Sequence, residues 1–178
     1  MNFYFLSLGS NLEPEFNLGL AVEAFLVKFR TIGLYPFRFT EPEGMESENL
    51  FVNGVCIIHS DVSHNELKAW TNEVEVFLGR DRSDPLRDRM DRTCDIDILC
   101  QSKRLNAEKA LKKQGGYVKT IILGESETEY SSPSVKIFGI TLPNRAATID
   151  FKRCSSNKPI IYDGHDHLKN RAKSRLHL

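Results

Sequence analysis

Four short apolar runs and two longer amphipathic stretches divide the first hundred residues. Phe3-Tyr4-Phe5-Leu6-Ser7-Leu8 reads as a buried strand, stopped by the turn residues Gly9-Ser10-Asn11. A helix follows to about residue 30, with Phe16, Leu20, Ala24 and Val27 on one stripe and Leu18, Val22, Phe25 and Phe29 beside it. So wide an apolar face suits a helix lying on a sheet. Leu34, Phe37 and Phe39 mark a second strand, in which Pro36, lacking an N–H, favours an edge or a strand start. Leu50 to Ile58 forms a third. Strand side chains alternate, so Phe51, Asn53, Val55 and Ile57 share one face and Val52, Gly54, Cys56 and Ile58 the other. Ser63-His64-Asn65-Glu66 fits a capping box; Leu67, Trp70, Val74 and Phe77 continue that helix, and Gly79 offers its stop. A fourth strand runs through Arg92-Thr93-Cys94-Asp95-Ile96-Asp97-Ile98-Leu99-Cys100.

This order, βαββαβ, is the ferredoxin-like arrangement: an antiparallel sheet with both helices on one face, in the α+β class. Residues 1–100 form that core, and residues 101–178 form an irregular C-terminal extension. In the extension, Asn106 to Gln114 suggests a short helix ended by Gly115-Gly116, and Tyr117 to Leu123 a strand. Glu125 to Ser134 is loop-like, Val135 to Leu142 and Pro159 to Tyr162 suggest short strands, and the basic segment from Lys169 to Leu178 frays.

Chemistry concentrates in the fourth strand. Cys94, Ile96, Ile98 and Cys100 form an apolar face, which leaves Asp95 and Asp97 projecting together from the other. Two adjacent carboxylates repel unless a cation lies between them, and Mg²⁺ with nucleotide phosphates is the commonest solution. The preceding loop holds Arg80, Arg82, Arg87, Arg89 and Arg92, interleaved with Asp81, Asp84, Asp88 and Asp91. Guanidinium groups bind phosphate oxygens bidentately and keep their charge, so a polyphosphate site is one reading; a salt-bridged surface loop is the other. Glu75 either lines the same cleft or is solvated. Asn53 either reads the polar edge of a flat heterocycle or ties down a neighbouring loop, and Phe51 either stacks on that ring or packs in the core. The acidic stretch Glu41 to Asn49, with Pro and Gly and no periodicity, is a loop bordering this cleft.

Composition narrows the classes. The chain has 178 residues, with 24 Lys and Arg against 24 Asp and Glu, so no basic field points to nucleic acid. No apolar run approaches the length of a membrane span and no basic-then-apolar leader opens the chain, so a cytoplasmic location without membrane contact is expected. Cys56, Cys94, Cys100 and Cys154 lack Cys-x-x-Cys spacing, which indicates neither zinc nor a disulfide framework.

Leu8-Gly9-Ser10-Asn11-Leu12, Phe51-Val52-Asn53, Gly79-Arg80-Asp81-Arg82 and Arg92-Thr93-Cys94-Asp95-Ile96-Asp97-Ile98-Leu99 occur in this order and at suitable spacing. Together they resemble the 6-hydroxymethyl-7,8-dihydropterin pyrophosphokinase family over about residues 1–100. The resemblance implies a transferase of folate biosynthesis that moves pyrophosphate from ATP to the pterin hydroxymethyl group and releases AMP. It implies that Asp95 and Asp97 bridge two Mg²⁺ ions, and that Arg82 and Arg92 contact phosphate during transfer with Arg80 nearby. Glu75 is then near the nucleotide, and Thr40, Phe51 and Asn53 line the pterin pocket. The loops 41–49 and 80–92 would close over ATP and the reduced pterin.

The family motif Pro-His-x-x-Met-x-x-Arg-x-Phe has its nearest match at His165-Asp166-His167-Leu168-Lys169-Asn170-Arg171-Ala172-Lys173, which makes His165 and Arg171 the ATP-contacting pair and puts Lys173 where an aromatic stacks on the pterin. A competing placement is Thr141-Leu142-Pro143-Asn144, with Asn144 in place of the histidine. The alternative to an active enzyme is a degenerate paralogue that binds nucleotide or a partner without catalysis. A nucleotidyltransferase is disfavoured because Ser10 and Asp95 lie far apart in sequence, and an RNA-binding module because the chain is neutral.

Overall fold

The computed structural model describes residues 1–42, 44–45, 47–83, 85, 89–113, 116–124, 132–151 and 158–174. Arg87, Asp84, Asp88 and Cys154, singled out above, lie outside the described residues. In chain order the elements are β1 (Asn2–Ser10), α1 (Pro14–Phe29), β2 (Thr31–Leu34), β3 (Arg38–Thr40), β4 (Phe51–Ser60), α2 (His64–Phe77) and β5 (Asp95–Ser102). There follow α3 (Glu108–Lys113), α4 (Tyr117–Leu123), β6 (Lys136–Ile137), β7 (Ile140–Thr141), β8 (Ala147–Asp150), β9 (Ile160–Asp163) and α5 (Asp166–Ser174).

The main sheet has the order β5-β1-β4-β2-β8-β9, every neighbouring pair antiparallel, and β3 also pairs with β4. Its first four strands are the ferredoxin-like core read from the sequence. The expected second strand is split around Pro36 into β2 and β3, because proline cannot donate to the ladder. β1 runs two residues further than expected. Gly9 and Ser10 stay in the ladder, paired with Asn53 and Val52, and the turn begins at Asn11.

Both faces of the sheet are covered. On one, Tyr4, Leu6, Val52, Cys56 and Ile58 pack against Leu18, Val22 and Phe25 of α1 and Leu67 of α2. The inward stripe of α1 is thus the one through Leu18, Val22 and Phe25, while Phe16 and Val27 are exposed. The α2 capping box forms: the Ser63 N–H donates to Glu66 Oε2 at 2.9 Å and Ser63 Oγ accepts from the Glu66 N–H at 3.3 Å. On the opposite face, Phe3, Phe5, Val55 and Ile57 pack against Ala110 of α3, Val118 and Ile121 of α4, and Leu168 of α5.

Several expectations for the extension change. Tyr117 to Leu123 is a helix rather than a strand. A seven-residue segment with five apolar residues fits either state. Here Val118 and Ile121, three apart, face the sheet, and Gly124 ends the helix with φ 73°. Val135 to Leu142 contains the two-residue strands of a small hairpin, β6 and β7, set apart from the main sheet. Ala147 to Asp150, unassigned above, is a strand that pairs with β2 and carries β9 on its outer edge. Lys169 to Ser174 is helical. Cys56, Cys94 and Cys100 are buried, as small hydrophobes should be. Among the described residues no helix is long and apolar enough to cross a membrane.

α5 is anchored by its charged and aromatic residues. His165, just before it, donates Nε2–H to the Leu34 carbonyl at 3.3 Å and packs edge-on against Tyr35. Arg171 donates to Asp150 Oδ2 at 2.6 Å, and Asp150 also accepts from the Thr31 hydroxyl at 3.0 Å. Burial holds the His165 imidazole below its ordinary pKa. The unfolded chain therefore takes up this proton first as pH falls, and the stabilisation present above about pH 6.5 is lost on acidification. We expect the urea midpoint to drop between pH 7.5 and 5.5, and the drop to shrink in His165→Gln. Equal pH dependence in the two proteins would contradict this placement.

Candidate active site

The sheet face under α3, α4 and α5 is apolar at one end and polar at the other. At the polar end β1 contributes Ser7 and Gly9, β4 contributes Phe51 and Asn53, and β5 contributes Asp95, all lining one cleft. The cleft encloses about 500 Å³ of space including its open mouth. Gly9 is needed here: a Cβ would collide with the Asn53 side-chain oxygen, which lies across β1. Asn53 Nδ2 donates to the Thr40 hydroxyl at 2.7 Å, so Thr40, Phe51 and Asn53 stand together as one wall.

The expected face assignment of β5 holds at Asp95 and Asp97, which pair with Gly9 and Ser7. It fails at Cys100. A bulge between the Leu6–Ile98 and Phe5–Cys100 pairs inserts Leu99 and reverses the alternation, so Leu99 and Cys100 join the Phe5 side of the sheet.

β5 is an edge strand, and α2 covers that edge with side chains. Glu75 Oε1 accepts the Ile96 N–H at 2.7 Å, and Lys68 Nζ donates to the Ile96 carbonyl at 2.9 Å and to Asp97 Oδ1 at 3.2 Å. The backbone between the two aspartates is thereby held on both its donor and its acceptor. Glu75 is fully buried, which contradicts the solvated reading. Its other oxygen pairs with Arg82 and, at 3.2 Å, with Arg80. Gly79, with φ 91°, reverses the chain at the end of α2 and turns Arg80 back toward these carboxylates. Arg82 is further fixed by Asn72 at 2.8 Å.

Asp95 pairs with Arg80 through Oδ1 and with Arg92 through Oδ2 at 2.8 Å. Burial alone would raise its pKa, but the two guanidiniums outweigh burial and hold the carboxyl below the usual range, hence ionised. For Glu75 burial dominates and pushes the carboxyl up, opposed by the Ile96 N–H and by Arg80 and Arg82. Arg92 also stands 5.6 Å from the Phe51 ring centroid and contacts Met45 Sδ.

The loops expected to border the site do meet, through Asp91. Its carboxylate accepts from Asn11 Nδ2, Ser47 Oγ and Asn49 Nδ2, each at 2.6 Å. Asn11 in turn accepts the Arg92 N–H and donates its own N–H to the Arg92 carbonyl. The end of β1, the 41–49 loop and the end of the 80–92 loop are thus tied at one carboxylate, whose pKa these hydrogen bonds lower.

The family model for 7,8-dihydro-6-hydroxymethylpterin-pyrophosphokinase (HPPK) matches residues 5–148. The chain belongs to this family. A 2-amino-4-hydroxy-6-hydroxymethyldihydropteridine pyrophosphokinase of Porphyromonas gingivalis is 36% identical over 104 residues, covering 57% of this chain and 71% of the relative. The enzyme of that name from Pseudomonas aeruginosa is 33% identical over 106 residues, covering 57% of this chain and 62% of its own length.

The HPPK match ends before His165 and Arg171 and includes Pro143-Asn144. The structure agrees with that boundary. His165 is held on β2 by Leu34, and Arg171 lies beside Thr31 and His59. His59 pairs with Phe3, and Phe3 is roughly 20 Å of strand from Gly9 at ~3.3 Å per residue. The aspartates and the His165/Arg171 pair are therefore not brought together; Asp150 holds Arg171 elsewhere. Asn144 instead accepts from Arg38, the β3 residue paired with Asn53.

Residue-by-residue reading offers Glu75 as a cleft residue but misses Lys68 and Asn72 and the joining role of Asp91. Lys68, Asn72 and Glu75 recur at helical spacing, a polar stripe that was legible in α2. Asp91 and Tyr117 carried no such signal, because what they line or join is distant in sequence. Among the described residues no three His, Cys, Asp or Glu side chains gather into a self-sufficient metal site. Asp95 and Asp97 offer hard oxygen donors that suit Mg²⁺ when phosphate oxygens and water supply the remainder. Nearby, Arg80 Nε and Thr93 Oγ1 are buried without a hydrogen-bond partner, which suits an oxygen-rich polyphosphate.

Removing a partner from a buried charge cluster costs far more than removing an exposed one. Glu75→Ala should lower unfolding free energy by about 3 kcal/mol. Lys68→Ala, whose ion pair is largely solvated, should cost under about 1 kcal/mol. Urea denaturation of both variants tests the order, and a Lys68 effect as large as that of Glu75 would refute it.

Proposed function

We propose that this protein transfers pyrophosphate from ATP to the hydroxymethyl group of 6-hydroxymethyl-7,8-dihydropterin and releases AMP, a step of folate biosynthesis. Membership of the HPPK family across residues 5–148 carries this reading. The local chemistry supports it: Arg92 and Asp95 line a cleft together with an aromatic ring, an amide and a hydroxyl, and Arg80 joins Asp95 to Glu75 and Arg82 beside it.

In this reading Asp95 and Asp97 hold Mg²⁺, as two ions, together with the ATP phosphates. The metal, when bound, neutralises phosphate charge and makes the β-phosphorus more electrophilic. Arg80, Arg82 and Arg92 bind phosphate oxygens, and Glu75 acts through Arg80 and Arg82 as a positioning residue. Phe51 stacks on the pterin, while Asn53 and Thr40 meet the polar edge of the ring. The pterin hydroxyl oxygen attacks the β-phosphorus as its bond to the α-phosphate oxygen breaks, and AMP departs with that oxygen. Phosphoryl-type transfers of this kind depend on positioning and charge stabilisation more than on covalent help from the protein. His165 and Arg171 are not part of the proposed set.

Two neighbouring guanidiniums now paired with Asp95 exchange that carboxylate for phosphate oxygens when the nucleotide binds. We expect AMP formation that requires both Mg²⁺ and the hydroxymethyl pterin, and that stops on chelation of the metal. Asp97→Ala should lower kcat by on the order of a hundredfold or more, as expected when electrostatic stabilisation of a transferring phosphoryl group is lost. A purified protein that forms no AMP, or one in which Asp97→Ala changes nothing, would sink the assignment.

A further inference from the structure

Lys68 lies on α2 four residues before Asn72 and seven before Glu75, so the three share the helix face turned to β5. Its Nζ donates to the Ile96 carbonyl at 2.9 Å and to Asp97 Oδ1 at 3.2 Å. The two strand aspartates are therefore held by different kinds of cation. Asp95 is clasped by Arg80 and Arg92, whose side chains are largely buried. Among the described residues Asp97 pairs with one ammonium, and both members of that pair are open to solvent. We infer that Lys68 is a built-in counter-cation for Asp97: it neutralises this carboxylate, yields it to the divalent metal, and so sets how tightly the site takes that metal. This rests on the assignment of Asp97 to Mg²⁺ in the reading above and deepens it.

A divalent cation binds carboxylate oxygen at about 2.0–2.1 Å and repels an ammonium on the same carboxylate. Lys68 must then withdraw. A compact ammonium on a flexible four-carbon stem does so readily, whereas a guanidinium leaving a buried pair strands a charge. Its withdrawal leaves β5 in place, because Glu75 Oε1 still accepts the Ile96 N–H and Asp97 stays paired with Ser7 in the ladder. Asp97 is thus the carboxylate that the metal gains first. The charge balance points the same way. In this cluster four cations, Lys68, Arg80, Arg82 and Arg92, meet three carboxylates, Glu75, Asp95 and Asp97. No surplus of negative charge draws in a bare dication, while a metal already bound to polyphosphate carries net negative charge and is attracted. Lys68 thereby biases the site toward the metal–nucleotide complex over the metal alone.

Mn²⁺ binding to the full chain, followed by the electron paramagnetic resonance of the free ion, tests this without turnover. In the absence of nucleotide, Lys68→Met should bind Mn²⁺ about fivefold more tightly than the parent, the factor that matches loss of a strong exposed ion pair. Lys68→Arg keeps the charge and should stay within about twofold of the parent. With a non-hydrolysable ATP analogue the advantage of Lys68→Met should shrink to under about twofold, because the polyphosphate charge is attracted to Lys68. A second measurement needs no variant. Mg²⁺ alone should raise severalfold the rate at which acetic anhydride labels Lys68 in the parent, read by peptide mass spectrometry against the exposed Lys103. If the parent forms AMP with Mg²⁺, yet the metal leaves Lys68 labelling unchanged or a folded Lys68→Met binds Mn²⁺ no more tightly, the role of Lys68 alone is refuted. A parent that binds Mn²⁺ neither alone nor with the analogue overturns the metal reading and this role with it.

Discussion

A single buried carboxylate organises the arginine and aspartate side of the cleft. Glu75 is fully enclosed, and its oxygens meet the Ile96 N–H, Arg80 and Arg82. Leaving it unpaired at that depth would cost several kcal/mol, so the backbone of β5 and both arginines are compelled toward it. The consequences run outward. The β5 edge is capped where Asp95 and Asp97 flank Ile96, Arg80 reaches Asp95, and Arg82 is held on α2 at Asn72. One helix residue thus fixes the relation between the aspartate pair and the arginines.

Asp91 has the corresponding role for the loops. Three side-chain donors from two other segments converge on it, and Asn11 then links Arg92 to the end of β1. Arg92 bridges the two halves of the site, pairing with Asp95 and standing beside Phe51 and Met45. The Asp95 and Phe51 sides of the cleft are in this way joined. The sheet supplies the rest, with Gly9 open enough for Asn53 to lie across it.

The ferredoxin-like core was legible because its elements are local. Periodicity marks α1 and α2, alternation assigns Phe51 and Asn53 to one face, and the capping box at Ser63 announces α2. Cys100 was misassigned because a bulge is a property of two strands in register, not of one strand's pattern. Tyr117 to Leu123 is ambiguous by pattern because a short, largely apolar segment satisfies either template until its partner surface is known. The placement of His165 and Arg171 failed for a similar reason: motif spacing cannot reveal that Leu34 and Asp150 already hold those side chains.

What the sequence determined by itself was the strand order of the core, the shared face of Asp95 and Asp97, and the kinship of the chain, all of which depend on residue types at short spacing. Only the tertiary structure decided that Glu75 is buried, that Asp91 gathers the loops, that the extension covers the second face of the sheet, and that Tyr117 comes to the cleft. Each of these depends on which surfaces are buried against one another. Burial and pairing join residues far apart in the chain, and no local pattern encodes them.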